Sequence, residues 1–303
     1  MSEGSECSTG YASDGCAALC FTRGYNRPPA PGRKIRIHWR LEQPPEQSPR
    51  KCLSLHTFPV ISSPTMKLKR PPLVIQPTTL WEYPSQDYGE EQQGRAGYKG
   101  ATPSYIIWNL LQRYTKPKDL VIDPCAGSGT TLDVARDLNR RALGYDLAPT
   151  RKDIFRVDAR KLPLEDGKAD FVFIDPPYST HIDYSDDPRC IGKLDAARPG
   201  YFKAMEQVIS EIHRVLRPGK YMGLYVCDSF VKGEGFYPIG FDLFAILRKF
   251  MEPVDIIAVV RHNKTLEMGN YRAAAEEGNF YLRGFNYLFV MRKASTPGGK
   301  TPS

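Results

Sequence analysis

Hydrophobic and polar positions divide the chain in two. Through the first 65 residues no apolar period of 2 or 3.6 is sustained, and Pro28, Pro29, Pro31, Pro44, Pro45, Pro49, Pro59 and Pro64 punctuate the stretch. This predicts a disordered, proline-rich leader over 1–65. A second reading takes Met66, which opens Met66-Lys67-Leu68-Lys69-Arg70, as the true start. From Thr102 the pattern becomes regular. Ile106, Ile107, Leu110, Leu111 and Tyr114 recur at helical spacing until Lys116-Pro117 stops the helix. Leu120-Val121-Ile122 reads as a buried strand that runs into the turn Ala126-Gly127-Ser128-Gly129, with a helix following from about Thr130 to Arg140. Strands are predicted at Ala142 to Asp146, Phe155 to Asp158, Phe171 to Ile174, Tyr221 to Cys227, Ile256 to Arg261 and Asn286 to Arg292. Helices are predicted at Tyr201 to Leu216, closed by Arg217-Pro218-Gly219, and at Phe241 to Phe250. Strands and helices alternating in this way predict an α/β fold with a doubly wound, mostly parallel, seven-stranded sheet over 66–294, followed by a disordered tail over 295–303.

In such sheets ligands bind beyond the carboxyl ends of the strands. The loops after Ile122, Tyr145, Val157 and Ile174 therefore share one rim, and the distinctive polar motifs fall there. The first is Asp123-Pro124-Cys125-Ala126-Gly127-Ser128-Gly129-Thr130-Thr131. It is not a P-loop, because Gly-Lys-Ser/Thr is missing. Nor is it the dinucleotide fingerprint, because Leu132 takes the third glycine position. The second is Asp175-Pro176-Pro177-Tyr178. Two prolines fix the backbone, so the Asp175 carboxylate, the Pro176 carbonyl and the Tyr178 ring are aimed at one small volume.

Composition adds modest constraints. The 42 Lys and Arg residues against 34 Asp and Glu give a net charge of +8, which suits a polyanion and equally suits an ordinary solvated surface. Apolar runs such as Ile256 to Val260 fall well short of the roughly 20 residues of a membrane span, so no membrane partner is expected. Cysteines at 7, 16, 20, 52, 125, 190 and 227 form no C-x-x-C pair, so free thiols in the cytoplasm and no metal are expected.

With both motifs in view, the chain over Thr79 to Lys293 resembles the S-adenosylmethionine-dependent amino-methyltransferases that make N6-methyladenine or N4-methylcytosine in DNA. The segment Tyr98-Lys-Gly-Ala-Thr-Pro-Ser104 is similar to that family's cofactor-binding turn. The resemblance implies a Rossmann-like class I methyltransferase fold and S-adenosylmethionine as cofactor. It assigns the cofactor to Thr102, Pro103, Asp123, Pro124, Ala126, Gly127, Ser128, Gly129, Thr130, Asp146 and Asp158. Asp123 would meet the methionine ammonium, Asp146 the ribose hydroxyls and Asp158 the adenine amine. Asp175, Pro176, Pro177 and Tyr178 would be catalytic, acting by direct transfer to a flipped-out base. Asp rather than Ser at 175 leans toward adenine N6 over cytosine N4. Pro124-Cys125 is similar to the nucleophile pair of cytosine-C5 methyltransferases, but its place inside the glycine loop argues against a catalytic Cys125.

The expected partner is nucleic acid, DNA favoured over RNA. The alternative is an RNA enzyme acting on guanine N2 or adenine N6, which shares the fold and the motif. A protein glutamine methyltransferase would carry Asn at 175. Contacts to nucleic acid are expected from the loop Ser179 to Arg198, with His181, Tyr184, Arg189 and Lys193, and from Arg261-His262-Asn263-Lys264-Thr265 through Arg283. About 50 residues separate the two motifs, and no separate target-recognition domain is expected. Sequence preference would come from those loops, from the leader, from a specificity partner or from a second copy of the chain.

Overall fold

The computed structural model describes residues 73–83, 85–178, 182–231, 233–262 and 264–295. The leader expected over 1–65, the alternative start at Met66 and nearly all of the expected tail lie outside the described residues.

A short strand β1 (Leu80–Trp81) is followed by helix α1 (Ser104–Tyr114), β2 (Leu120–Asp123), α2 (Thr130–Asp137), β3 (Arg141–Asp146), β4 (Ile154–Arg156) and β5 (Ala169–Ile174). After a single 3₁₀ turn at Ile191–Lys193 come α3 (Pro199–Val215), β6 (Leu216–Val226), the hairpin β7 (Ser229–Val231) and β8 (Gly235–Tyr237), α4 (Ile239–Phe250), β9 (Glu252–Val260), α5 (Lys264–Glu267), α6 (Gly269–Glu277) and β10 (Phe285–Arg292).

The main sheet runs β1-β9-β10-β6-β5-β2-β3-β4. Strand β10 is antiparallel to both neighbours, and every other pairing is parallel. The doubly wound, mostly parallel sheet is therefore present, with eight strands rather than seven. The extra one is the two-residue edge strand β1, too short to show a period. Arg217-Pro218-Gly219 also differ from expectation. Helix α3 ends at Val215, and these residues lie inside β6, where Gly219 takes φ +77° beside a register shift against β5. The bulge absorbs the proline that would otherwise interrupt the ladder.

Strand alternation sorts the apolar side chains onto two faces. Val172, Ile174, Met222, Leu224 and Phe289 pack with Tyr201, Met205, Ile209 and Ile212 of α3 and with Leu243 and Leu247 of α4. Phe171, Phe173, Tyr225, Leu288 and Val290 pack with Ile106, Ile107, Leu110 and Leu111 of α1. Each fully buried side chain of this size contributes about 1.5–3 kcal/mol. The chain order reverses at β2, which has β3 on one side and β5 on the other. A crevice opens at that switch point, outside the carboxyl ends of the strands. Among the described residues no helix is long and apolar enough to cross a membrane.

Candidate active site

Acids end or follow the four parallel strands at the switch point. Asp123 closes β2, Asp146 closes β3, Asp158 lies two residues beyond β4, and Asp175 follows β5 directly. All four line one cavity. A fifth acid, Asp228 after β6, has a different role: its carboxylate accepts from Gly240 N at the start of α4 (2.9 Å) and from the Tyr287 hydroxyl (3.0 Å).

The glycine turn is built by local geometry. Gly127 takes φ +45° and Gly129, at the N-terminus of α2, takes φ +83°, both in the left-handed region that glycine tolerates without strain. A Cβ at Gly127 would stand 2.9 Å from the Tyr98 hydroxyl oxygen. The turn is held by Ala126 N donating to the Tyr145 carbonyl (2.9 Å), Gly127 N to Asp146 Oδ2 (3.0 Å) and Thr150 Oγ1 to the Gly127 carbonyl (2.6 Å). Behind it, Arg151 bridges Asp133 and Asp153, each at 2.6 Å.

Asp123 is buried. Its carboxylate accepts from Thr131 Oγ1 (2.5 Å) and Cys125 N (3.0 Å). Burial pushes its pKa up to about 7 despite those two donors, and the charge of Asp146 adds to the rise. Asp158 behaves oppositely: burial alone would raise its pKa, but hydrogen bonds from Arg160, with Nη2 at 2.6 Å, outweigh that and hold it below the usual carboxylate range.

Asp175 accepts a hydrogen bond from Thr102 Oγ1 at 2.6 Å. This ties the segment before α1 to the corner after β5. Burial again dominates and pushes its pKa up to about 7; the Thr102 bond opposes the shift and the Asp123 charge reinforces it. Asp175 also lines a second cavity, walled by Tyr83, Tyr178, Tyr225, Val259, Arg261 and Asn286 among others. Asp175, Gly100 and Ala101 line both cavities, so the two meet at the carboxylate.

The expected site residues sort between these cavities. Thr102, Asp123, Pro124, Ala126, Gly127, Ser128, Thr130, Asp146, Asp158, Asp175 and Pro177 line the first, while Pro103 and Tyr178 line the second. Gly129 and Pro176 line neither: Gly129 shapes the turn behind the wall, and Pro176 is buried. Tyr184, expected at nucleic acid, lines the first cavity together with Tyr98, Cys190 and Ile191. Arg189 pairs with Asp187 (2.6 Å), and Lys193 lies 3.6 Å from Asp183. His181, Asn263 and the side chains of Lys264 and Thr265 lie outside the described residues. Sequence reasoning missed Tyr225 and Asn286. A polar Asn inside the otherwise apolar stretch Phe285 to Met291 was the available signal for the second.

Residues 19–156 match the DNA methylase family model, a span that includes the glycine turn and Asp146 and ends before Asp175. The Type II methyltransferase M.ScaI of Streptomyces caespitosus is 30% identical over 101 residues, covering 33% of this chain and 32% of that protein. Over these stretches the chain is similar to DNA methylases. The Type II methyltransferase M.HindIII of Haemophilus influenzae is 39% identical over 63 residues, or 21% of this chain and 19% of its own length. The matched stretches thus span a third or less of these curated relatives. Among solved structures, the [4+2]-cyclase SpnF aligns with 68% of this chain and 86% of its own at 17% identity and a TM-score of 0.45, a likeness that carries no functional weight.

Proposed function

We propose that the chain transfers a methyl group from S-adenosylmethionine to the exocyclic amine of a DNA base, adenine N6 in preference to cytosine N4. The observation that carries this reading is the position of Asp175. It stands where a cavity walled by the glycine turn and acids meets a second cavity walled by three tyrosines.

The residues of the first cavity fit the cofactor. Gly127 brings bare backbone to the wall, with the Tyr98 ring packed where a side chain would stand. Asp146 can accept from ribose hydroxyls while holding the Gly127 and Ala148 amides. Asp123 offers a carboxylate to an ammonium group, whose charge would restore its ionised form. Asp158 can accept from an adenine amine while it holds Arg160. When bound, S-adenosylmethionine supplies an electrophilic methyl group on a sulfonium.

The remaining chemistry falls to the chain. A base amine is a poor nucleophile because its lone pair is delocalised into the ring. Asp175 would accept an amine N–H, which favours a pyramidal nitrogen and stabilises its developing positive charge. With a pKa near 7, Asp175 is also matched to receiving the proton that the amine must lose. Holding the amine in place contributes several of the roughly 7–11 kcal/mol attributed to proximity. A duplex base would reach the second cavity only after flipping, at a cost of a few kcal/mol. Stacking on Tyr178 or Tyr225 would offset about 1–3 kcal/mol of it. The basic residues Arg261 and His262 line the same cavity and suit a phosphate-bearing strand.

The test is to incubate the protein with methyl-labelled S-adenosylmethionine and, in parallel, DNA, transfer RNA and protein extract. Label is expected in DNA, recovered as N6-methyladenine after hydrolysis. Label entering only RNA or only protein would overturn the proposal, and an Asp175→Ala variant with unchanged turnover would overturn the role given to Asp175.

A further inference from the structure

Strand β10 carries an asparagine where its row of side chains is otherwise apolar. Alternate residues of a strand face the same side, and on the side packed by α1, Leu288 and Val290 are fully buried in the core. Asn286 is the next residue of that row toward the rim. It is only 4% exposed, and its Oδ1 is buried with no hydrogen-bond partner among the described residues. An unpaired buried amide opposes folding, and a leucine, which has the same branched skeleton, would not. Packing alone therefore does not account for the residue. Asn286 lines the second cavity, the one that Asp175 also lines.

We propose that the Asn286 side chain reads the Watson–Crick edge of the target base, its amide N–H donating to the unprotonated ring nitrogen beside the amine that Asp175 holds. The assignment rests on the second cavity being the base site. Adenine and cytosine share one pattern on that edge, an amine next to a bare ring nitrogen. Guanine carries a hydrogen on the corresponding nitrogen, and thymine has no amine. A site for the shared pattern needs an acceptor and, next to it, a donor. Asp175 is the acceptor. Of the other donors lining the cavity, Gln86 Nε2 is engaged with the Ala101 carbonyl (2.8 Å) and Arg261 Nη1 with Cys227 Sγ (3.1 Å). Oδ1 has no hydrogen-bond partner among the described residues, so no bond there holds the planar amide against presenting its N–H to the base. Asn286 would thus select the two amine-bearing bases that offer a bare ring nitrogen.

The experiment is a cycle in which protein and base are altered together. The site methylated by the wild-type protein is mapped by sequencing. A synthetic duplex bearing it is then made with the target base replaced by its ring-carbon analogue, 1-deazaadenine or 3-deazacytosine. Wild type should lose about 10- to 100-fold in kcat/KM on the analogue, and Asn286→Leu should lose a similar factor on the natural base. Asn286→Leu on the analogue should lose nothing further, because the same hydrogen bond has been removed twice. The variant should also bind S-adenosylmethionine like wild type and melt no lower, because it buries no unpaired amide. Multiplying losses, or full activity of Asn286→Leu on the natural duplex, would overturn the assignment. A wild-type protein that labels no natural DNA would instead overturn the functional reading beneath it, and this assignment with it.

Discussion

Replacing Asp175 by Asn removes a charge while keeping an acceptor for the Thr102 hydroxyl, and so isolates what that charge costs the fold. Burial is the main reason its pKa rises from 3.8 to about 7; Thr102 opposes the rise, and the neighbouring Asp123 adds to it. A shift of about 3 units corresponds to about 4 kcal/mol. The sign follows from proton counting. Between about pH 4 and pH 7 the folded protein binds a proton that the unfolded chain has released, so stability falls as pH rises through that window. Below the window the penalty is absent, and above it the penalty is complete. The Asn side chain never ionises. The variant should therefore match wild type near about pH 4 and exceed it by up to about 4 kcal/mol near about pH 8.5. For a domain of this size each kcal/mol moves the melting midpoint by about 2–4 °C. Methyl transfer should fall in the opposite direction, by about 10²- to 10⁴-fold, with cofactor affinity by calorimetry unchanged. Wild-type kcat/KM should climb with pH and level off above about 7, a limb shared by this carboxyl and Asp123. A variant less stable than wild type at high pH, or a difference that ignores pH, would refute the reasoning.

Three further outcomes follow from the same site. Asp146→Ala removes the acceptor of the Gly127 amide and the proposed ribose partner, so calorimetry should show cofactor binding weakened by about 10- to 100-fold. Gly127→Ala forces a Cβ to within 2.9 Å of the Tyr98 oxygen at φ +45°, and urea titration should register a loss of about 1–2 kcal/mol together with weaker cofactor binding. Burial, together with the carboxylates Asp146, Asp123 and Asp175, pushes the Cys125 thiol well above its ordinary pKa, so Cys125→Ser should keep most activity; loss of transfer, or a covalent base adduct trapped on Cys125, would contradict this.

Much of the fold was legible because strands buried on both faces read as apolar runs. Phe171-Val172-Phe173-Ile174 lies within β5, and the stretch from Asn286 to Arg292 within β10. What escaped was short or polar. Leu80 and Trp81 are too few to carry a period. The β7–β8 hairpin pairs three residues on each side. Helix α6 buries only Ala275, which leaves no apolar stripe to detect. The acids of the site could be found because each follows a strand. The second cavity could not, because Tyr83, Tyr225 and Asn286 come from distant parts of the chain and are joined only by the sheet order.

The measurement closest to the central claim is diffraction from crystals grown with S-adenosylhomocysteine and a short DNA carrying the methylated site. The account predicts the nucleoside beside Gly127, Asp146 and Asp158, its sulfur directed toward Asp175, and the target base among Tyr178, Tyr225 and Asn286 with its amine on the Asp175 carboxylate. A cofactor product bound away from the glycine turn, or a base amine that meets some group other than Asp175, would contradict it.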